Sequence, residues 1–355
     1  MTMSDLSRFA GRRVLVTGHT GFKGSWLALW LSSLGAKVTG VALAPEQDRG
    51  HFRLLGLDKL VTHVECDIRD GATLSKVFAE AEPEIVFHLA AQALVRRSYA
   101  DPKTTFDTNV GGSVNVLEAV RSTPSIRSCV YITSDKCYRN KEWIFGYREN
   151  DELGGHDPYS ASKAAAELVY ETYRASYFAQ RAHFGIAATR AGNVIGGGDW
   201  AADRIVPDCI RFLSEDRPIV IRSPRATRPW QHVLDPLHGY MKLGLALLDD
   251  PVRFSGPFNF GPDVAGICTV AELVEKVIQG WGSGRLIIEE DPNAPKEATL
   301  LHLNTDKAQI MLDWRPRWGV DQSIVHTVQW YKQVVAEGVE AGTASRRQLE
   351  EFMAL

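Results

Sequence analysis

Short apolar runs alternate with longer mixed stretches through the first half of the chain. Arg13–Thr17 carries Val14, Leu15 and Val16 without a polar break and predicts a buried strand. Lys37–Ala42 predicts a second strand, and Val61–Glu65, Ile85–Leu89, Ser128–Ile132 and Gly185–Thr189 predict four more. Helices are predicted between them over Ser25–Leu34, Ala72–Ala81, Thr105–Arg121 and Tyr159–Arg174. Strands apolar throughout, alternating with helices, predict a doubly wound α/β fold, a parallel sheet covered on both faces. After about Arg190 the alternation stops. Gly196-Gly197-Gly198-Asp199, the Arg222–Trp230 stretch and Gly261-Pro262 read as loops, separated by short helices over Val270–Gln279, Asp306–Leu312 and Gln322–Val335. Two domains follow from this break. Residues 1–190 plus about 232–260 form the larger one, and about 191–231 plus 261–355 form a smaller C-terminal α/β domain.

The first strand runs into Gly18-His19-Thr20-Gly21-Phe22-Lys23-Gly24, which opens the first helix. Glycines at Gly18, Gly21 and Gly24 allow a tight turn, and a helix N-terminus offers N–H groups to a diphosphate. This predicts a dinucleotide site at Thr20, Phe22, Lys23 and the three glycines. The second strand ends at Ala42 and Leu43, with neither an acidic residue for a ribose nor an arginine for a 2′-phosphate; NAD is expected over NADP. Cys66-Asp67-Ile68 ends the third strand, where Asp67 and Ile68 are placed to meet an adenine. Leu89, Ala90 and Ala91 end the fourth, where small side chains let the chain pass close to a cofactor.

Composition narrows the picture. The 355 residues suffice for two domains, and the net charge of −3 gives no electrostatic case for nucleic acid or a membrane surface. An anionic substrate must therefore be held by local groups. The cysteines, Cys66, Cys129, Cys137, Cys209 and Cys268, are odd in number and lack metal-ligand spacing, so no metal is expected and free thiols in a reducing compartment are. Met1 to Arg13 has no apolar leader-like core and no apolar run reaches ~20 residues, so a cytoplasmic protein is expected.

The chemistry concentrates in Ser134-Asp135-Lys136 and in Tyr159-Ser160-Ala161-Ser162-Lys163. Tyr159 and Lys163 are four apart and share one helix face. An ammonium beside a phenol favours the phenolate and lowers a tyrosine pKa from ~10, which makes a base for a sugar hydroxyl. Asp135 and Lys136 add a second acid/base pair that alcohol oxidation does not need.

With the glycine run, the Tyr159/Lys163 pair placed after a strand ending Ile132-Thr133-Ser134 resembles the extended short-chain dehydrogenase/reductase family, over nearly the whole chain. Within it, Ser134-Asp135-Lys136 resembles the nucleotide-sugar 4,6-dehydratase branch, most of which has Thr-Asp-Glu here. The run on to Cys137-Tyr138, then Glu142-Trp143, Gly146-Tyr147-Arg148-Glu149-Asn150-Asp151 and Gly154-Gly155-His156-Asp157-Pro158-Tyr159, is similar to the CDP-glucose members of that branch, as is Gly18–Trp26.

The resemblance implies a Rossmann-like fold, bound NAD and a homodimer or dimer of dimers built on the Thr105–Arg121 and Tyr159–Arg174 helices. It also implies a product used for deoxysugars of surface polysaccharide such as O-antigen. Tyr159, helped by Ser134, takes the 4-hydroxyl proton, and Lys163 holds the nicotinamide ribose; Thr108 and Ala191 join the cofactor site. Asp135 protonates the departing 6-hydroxyl. Lys136, in place of the usual Glu, either removes the C5 proton as a neutral amine or stays charged and steadies the enolate. Asn193, Arg204 and Arg228 are implied on the nucleotide side, with Arg96, Glu297 and His302 near the sugar; Arg222 and Arg225 read as solvated loop. The alternatives are a dehydratase for dTDP- or UDP-glucose, a nucleotide-sugar 4-epimerase, and a non-catalytic nucleotide-sensing relative. An epimerase needs Tyr159, Lys163 and Ser134 but neither Asp135 nor Lys136.

Overall fold

In the computed structural model, which describes residues 3–263, 267–289 and 301–355, seven parallel strands form one sheet. They are β1 (Arg13–Thr17), β2 (Lys37–Ala42), β3 (Thr62–Glu65), β4 (Ile85–His88), β5 (Ser128–Ile132), β6 (Gly185–Arg190) and β7 (Phe258–Asn259). Their order across the sheet is β7-β6-β5-β4-β1-β2-β3, so the strand order reverses between β1 and β4.

Alternate side chains feed two cores. Val14, Val16, Phe87, Val130 and Ala187 point to one face, which is covered by α1 (Phe22–Ser33) and, further along the chain, α6 (Leu234–Asp249). Leu15, Val86, Tyr131, Ile186 and Ala188 point to the other, under α2 (Gly71–Ala81), α3 (Ser113–Ser122) and α4 (Pro158–Tyr173). Period-two alternation with both faces apolar is what makes these strands read as unbroken hydrophobic runs.

The predicted Thr105–Arg121 helix is three pieces: Pro102–Phe106, a wide π turn over Asp107–Gly112, and α3. The turn keeps Asn109 inward, where its side chain accepts from the Gln92 N–H (2.8 Å) and donates to the Gln92 carbonyl and Ser162 Oγ. Such wide turns collect at functional sites. The helix predicted to Arg174 likewise ends in a π turn over Arg174–Phe178.

The rest of the chain builds a second layer beside the strand C-termini. α5 (Ile205–Ser214), α7 (Val270–Trp281) and α8 (Val320–Tyr331) pack together, and α9 (Ala341–Met353) closes over α8. Three short pairs complete it: Val194–Ile195 with Gln231–His232, Ile219–Ile221 with Leu286–Ile288, and Thr227–Pro229 with Ile267–Thr269. The Leu234–Phe260 stretch supplies α6 and β7 to the main sheet.

Candidate active site

The strand reversal leaves a crevice at the C-terminal ends of β1 and β4, the place where such sheets bind ligands. It opens into a cavity of about 1030 Å³. Gly18 ends β1 with φ +76°, and a Cβ there would lie 2.7 Å from the Ala90 nitrogen. A Cβ on Gly24 would lie 2.1 Å from the Gly18 carbonyl oxygen. Only glycine lets the turn, β4 and the start of α1 come this close. α1 starts at Gly21 with no side-chain cap, so the N–H groups of its first turn have no such acceptor. With Gly21 to Gly24 lining the cavity, that donor set fits a diphosphate. His19 turns away under β2, its Nε2 2.7 Å from His63 Nδ1, in space Gly40 leaves free.

Gly18, Thr20, Gly21, Phe22, Lys23, Gly24, Asp67, Ile68, Leu89, Ala90, Ala91, Thr108 and Ala191 all line this cavity. Asp67 does so with its carboxylate taken up by Arg69, whose Nη2 donates to Oδ2 at 2.6 Å. The pairing holds the Asp67 carboxyl below its ordinary pKa. Glu46, which follows the end of the second strand slightly late, lines the cavity in an ion pair of 2.7 Å with Arg97, a partner that sequence spacing does not mark.

Ser134, Asp135, Lys136, Tyr159 and Lys163 line the same cavity. β5 delivers the first three: Thr133 N–H donates to the Thr189 carbonyl at 2.8 Å, and Asp135 N–H to the Ala191 carbonyl. α4 delivers the other two. Asp157 caps it, accepting from the Ser160 N–H (2.9 Å) and hydroxyl (2.6 Å), and Pro158 opens it. The Ser134 hydroxyl donates to Asp135 Oδ1 at 2.9 Å and accepts from the Lys136 N–H. Asp135 Oδ2 is buried and has no hydrogen-bond partner among the described residues, and a Cβ on Gly192 would lie 2.1 Å from it. A bare acceptor kept clear by a glycine at a cavity wall is suited to a ligand hydroxyl.

The expected depression of the Tyr159 pKa by Lys163 is not found. Burial pushes the phenol up to about 12, and the largest opposing pull is the Ser134 hydrogen bond, with Arg204 also lowering it. Burial lowers Lys163 to about 8, against the raising effect of Glu167. Lys23 is lowered to about 8, chiefly by burial and then by Arg204.

Asn193, Arg204, Arg228 and Arg96 also line the cavity. Arg204 is held by Asp199 at 2.8 Å and Arg96 by Asp203 at 2.6 Å. Asp199 was missed because Gly196-Gly197-Gly198-Asp199 reads only as a loop. Its glycines admit Trp330 and His51, which a Cβ at Gly197 or Gly198 would strike. Arg222 lies on the cavity wall rather than simply in solvent, whereas Arg225 is exposed and away from it. His302 is not on the wall: its carbonyl accepts from the Tyr147 N–H at 2.9 Å, which aligns the chain beside the small Tyr138/Tyr147/Leu303 core. Glu297 lies outside the described residues. The described residues contain no His/Cys/Asp/Glu cluster suited to a metal and no helix long and apolar enough to cross a membrane. The five cysteines are free and buried.

Residues 15–327 match the family model described as GDP-mannose 4,6 dehydratase. The chain is 45% identical over 355 residues to the CDP-glucose 4,6-dehydratase of Salmonella typhimurium, covering 99% of each. Among solved structures it is similar to the UDP-glucose 4-epimerase of Thermotoga maritima with UDP-glucose (TM-score 0.78, 22% identity, 91% of this chain and 99% of that one). It is also similar to the dTDP-glucose 4,6-dehydratase of Streptomyces venezuelae with NAD and TYD bound (TM-score 0.77, 23% identity, 90% and 97%).

Proposed function

The chain belongs to the GDP-mannose 4,6 dehydratase family, and from that membership we propose an NAD-dependent hydro-lyase that converts CDP-glucose to CDP-4-dehydro-6-deoxy-glucose. The observation behind this reading is that Asp135 and Lys136, for which epimerisation has no use, stand on one cavity wall with Ser134, Tyr159 and Lys163. The uncapped first turn of α1 would hold the diphosphate of NAD and Lys163 its nicotinamide ribose, and NAD there would supply a reversible hydride store between C4 and C6.

In its phenolate form Tyr159 takes the proton of the 4-hydroxyl, which Ser134 orients; the positive charge of a bound nicotinamide would favour that form against burial. The 4-ketone acidifies the proton on C5. Asp135, through its unpartnered oxygen, donates to the 6-hydroxyl as it leaves, and Lys136 takes the C5 proton or steadies the enolate. Water departs across C5–C6, and a proton returns to C5. Arg204 and Arg228 supply the positive charge that the diphosphate needs and the overall charge of −3 does not.

The protein works in the cytoplasm as a homodimer, in a route to deoxysugars of surface polysaccharide. Phe106 and Leu168, exposed on the two helical segments expected at the dimer interface, support that assembly. The test is to offer NAD-loaded protein CDP-, dTDP- and UDP-glucose in parallel. Loss of water from CDP-glucose at the highest kcat/KM is expected. Preference for another nucleotide, or a C4 epimer formed without loss of water, would contradict it.

A further inference from the structure

An ion pair lies behind the catalytic residues, off the cavity wall. Arg190 Nε and Nη2 donate to the two oxygens of Glu167 at 2.9 Å each, with the side chains 4% and 1% exposed. Neither residue lines the cavity. Burying such a pair costs more than its attraction returns unless every remaining group is bonded, and apolar replacements are often as stable. Here each group is bonded. The Thr133 hydroxyl donates to Glu167 Oε1. Arg190 Nη1 donates to the Tyr138 hydroxyl (2.7 Å) and the Glu149 carbonyl (3.0 Å), and Tyr138 donates on to Asn259 Oδ1 (2.8 Å).

The partners coincide with the catalytic set. Thr133 precedes Ser134 and Asp135. Glu167 is one helical turn beyond Lys163 on α4. Arg190 precedes Ala191 and Gly192, against which Asp135 packs. Tyr138 ends the turn that carries Lys136.

We propose that Glu167 and Arg190 are positioning residues, a buried pair that fixes the ends of β5 and β6 and the Lys163 turn of α4 in one catalytic geometry. The inference rests on the roles given above to Ser134, Asp135 and Lys163. A chain of bonds joining three elements holds reacting groups to a fraction of an ångström, and a misplacement of about 1 Å costs up to about 100-fold in rate. The pair also sets the charge beside Lys163. The other titratable groups whose charge couples to that ammonium are Cys137 from the turn, Lys23 from α1 and His88 from β4. Of these and Glu167, Glu167 raises its pKa most.

Two variants test this. In Glu167→Leu/Arg190→Met both charges go together; Thr133 retains the Thr189 carbonyl (3.2 Å), Tyr138 retains Asn259, and the Glu149 carbonyl loses its Arg190 donor. A melting temperature near the parent's is expected, with kcat lower by roughly 10–100-fold and the KM for CDP-glucose changed less than about threefold. In Glu167→Gln the anion is lost and Arg190 stays. The pH above which NAD binding weakens should then fall by about half a unit or more, a shift absent when Lys163 is also Met. If kcat in the double variant stays within about twofold of the parent, or the NAD-binding limb does not move, the pair only fills the core and the proposal is overturned. Should the double variant not fold, the Glu167→Gln titration decides. Turnover retained in Lys163→Ala would overturn the underlying assignment together with the proposal.

Discussion

In the proposed mechanism Asp135 carries the difference between oxidation and dehydration, and its carboxylate packs against a residue with no side chain. Gly192→Ala would place a methyl 2.1 Å from Oδ2, so the acid must turn away. Loss of dehydration by roughly 100-fold or more is expected in steady-state assays, with CDP-glucose affinity held within a few-fold. For Lys136, half-buried on the cavity wall, removal of the amine in Lys136→Ala is expected to leave C4 oxidation and to block exchange of the C5 proton with solvent. Unchanged exchange would leave enolate stabilisation as its role. These residues were legible because chemistry writes itself into local spacing: Ser134 to Lys136, and Tyr159 to Lys163. Glu167 and Arg190 were not, because no local pattern marks a pair formed between a helix and a strand. His302 rests on resemblance alone; among the described residues its backbone carbonyl serves the fold. The Tyr159 pKa was misread because the sequence gives the neighbouring ammonium but not the burial that outweighs it.

The elements succeed or fail by the clarity of their periodicity. α4 is announced by Asp157-Pro158, and the cap does more than stabilise, since Tyr159 follows directly. Asp157→Ala should cost about 1 kcal/mol, read as a small fall in melting temperature, with a larger proportional fall in kcat than in KM. For α6 the sequence marks only a segment returning to the first domain. It is buried on every side, so no amphipathic stripe distinguishes it from a loop with apolar residues. α5 was hidden by Pro207 inside its first turn, and α9 by a polar composition that buries only one face. The split of Thr105–Arg121 depends on Asn109 reaching Gln92 and Ser162, long-range partners that periodicity cannot supply.

Across the whole molecule the parallel sheet and its reversal were readable, because alternation of apolar strands and helices leaves few topologies, whereas the second layer is made of short pairs joined from distant segments. Folding also buries histidines in neutral form. Burial lowers His19 to about 4 and His51, His88 and His238 to about 3, and His232 well below its ordinary value. A lowered pKa gives stability that is present above about 6.5, the unfolded value, and lost as pH falls towards the folded values. Asp235 has the opposite sign: burial raises it to about 7, so its contribution is present below ~3.9 and lost as pH rises to 7. Burial also lowers His302 and His326 and raises Glu149 and Asp208. The lowered histidines outnumber the raised carboxyls, so the melting temperature should fall steadily from pH 6.5 to 4, and Asp235→Asn should stabilise at pH 8 more than at pH 5. The proposed reaction is a dehydration in which one hydride stays within the sugar while the C5 proton exchanges with water. NAD-loaded protein given CDP-glucose labelled with deuterium at C4, in ordinary water, should yield CDP-4-dehydro-6-deoxy-glucose with that label at C6. In deuterium oxide, unlabelled substrate should gain one deuterium at C5. A product that keeps its oxygen at C6, or a C6 position without the C4 label, would contradict the account.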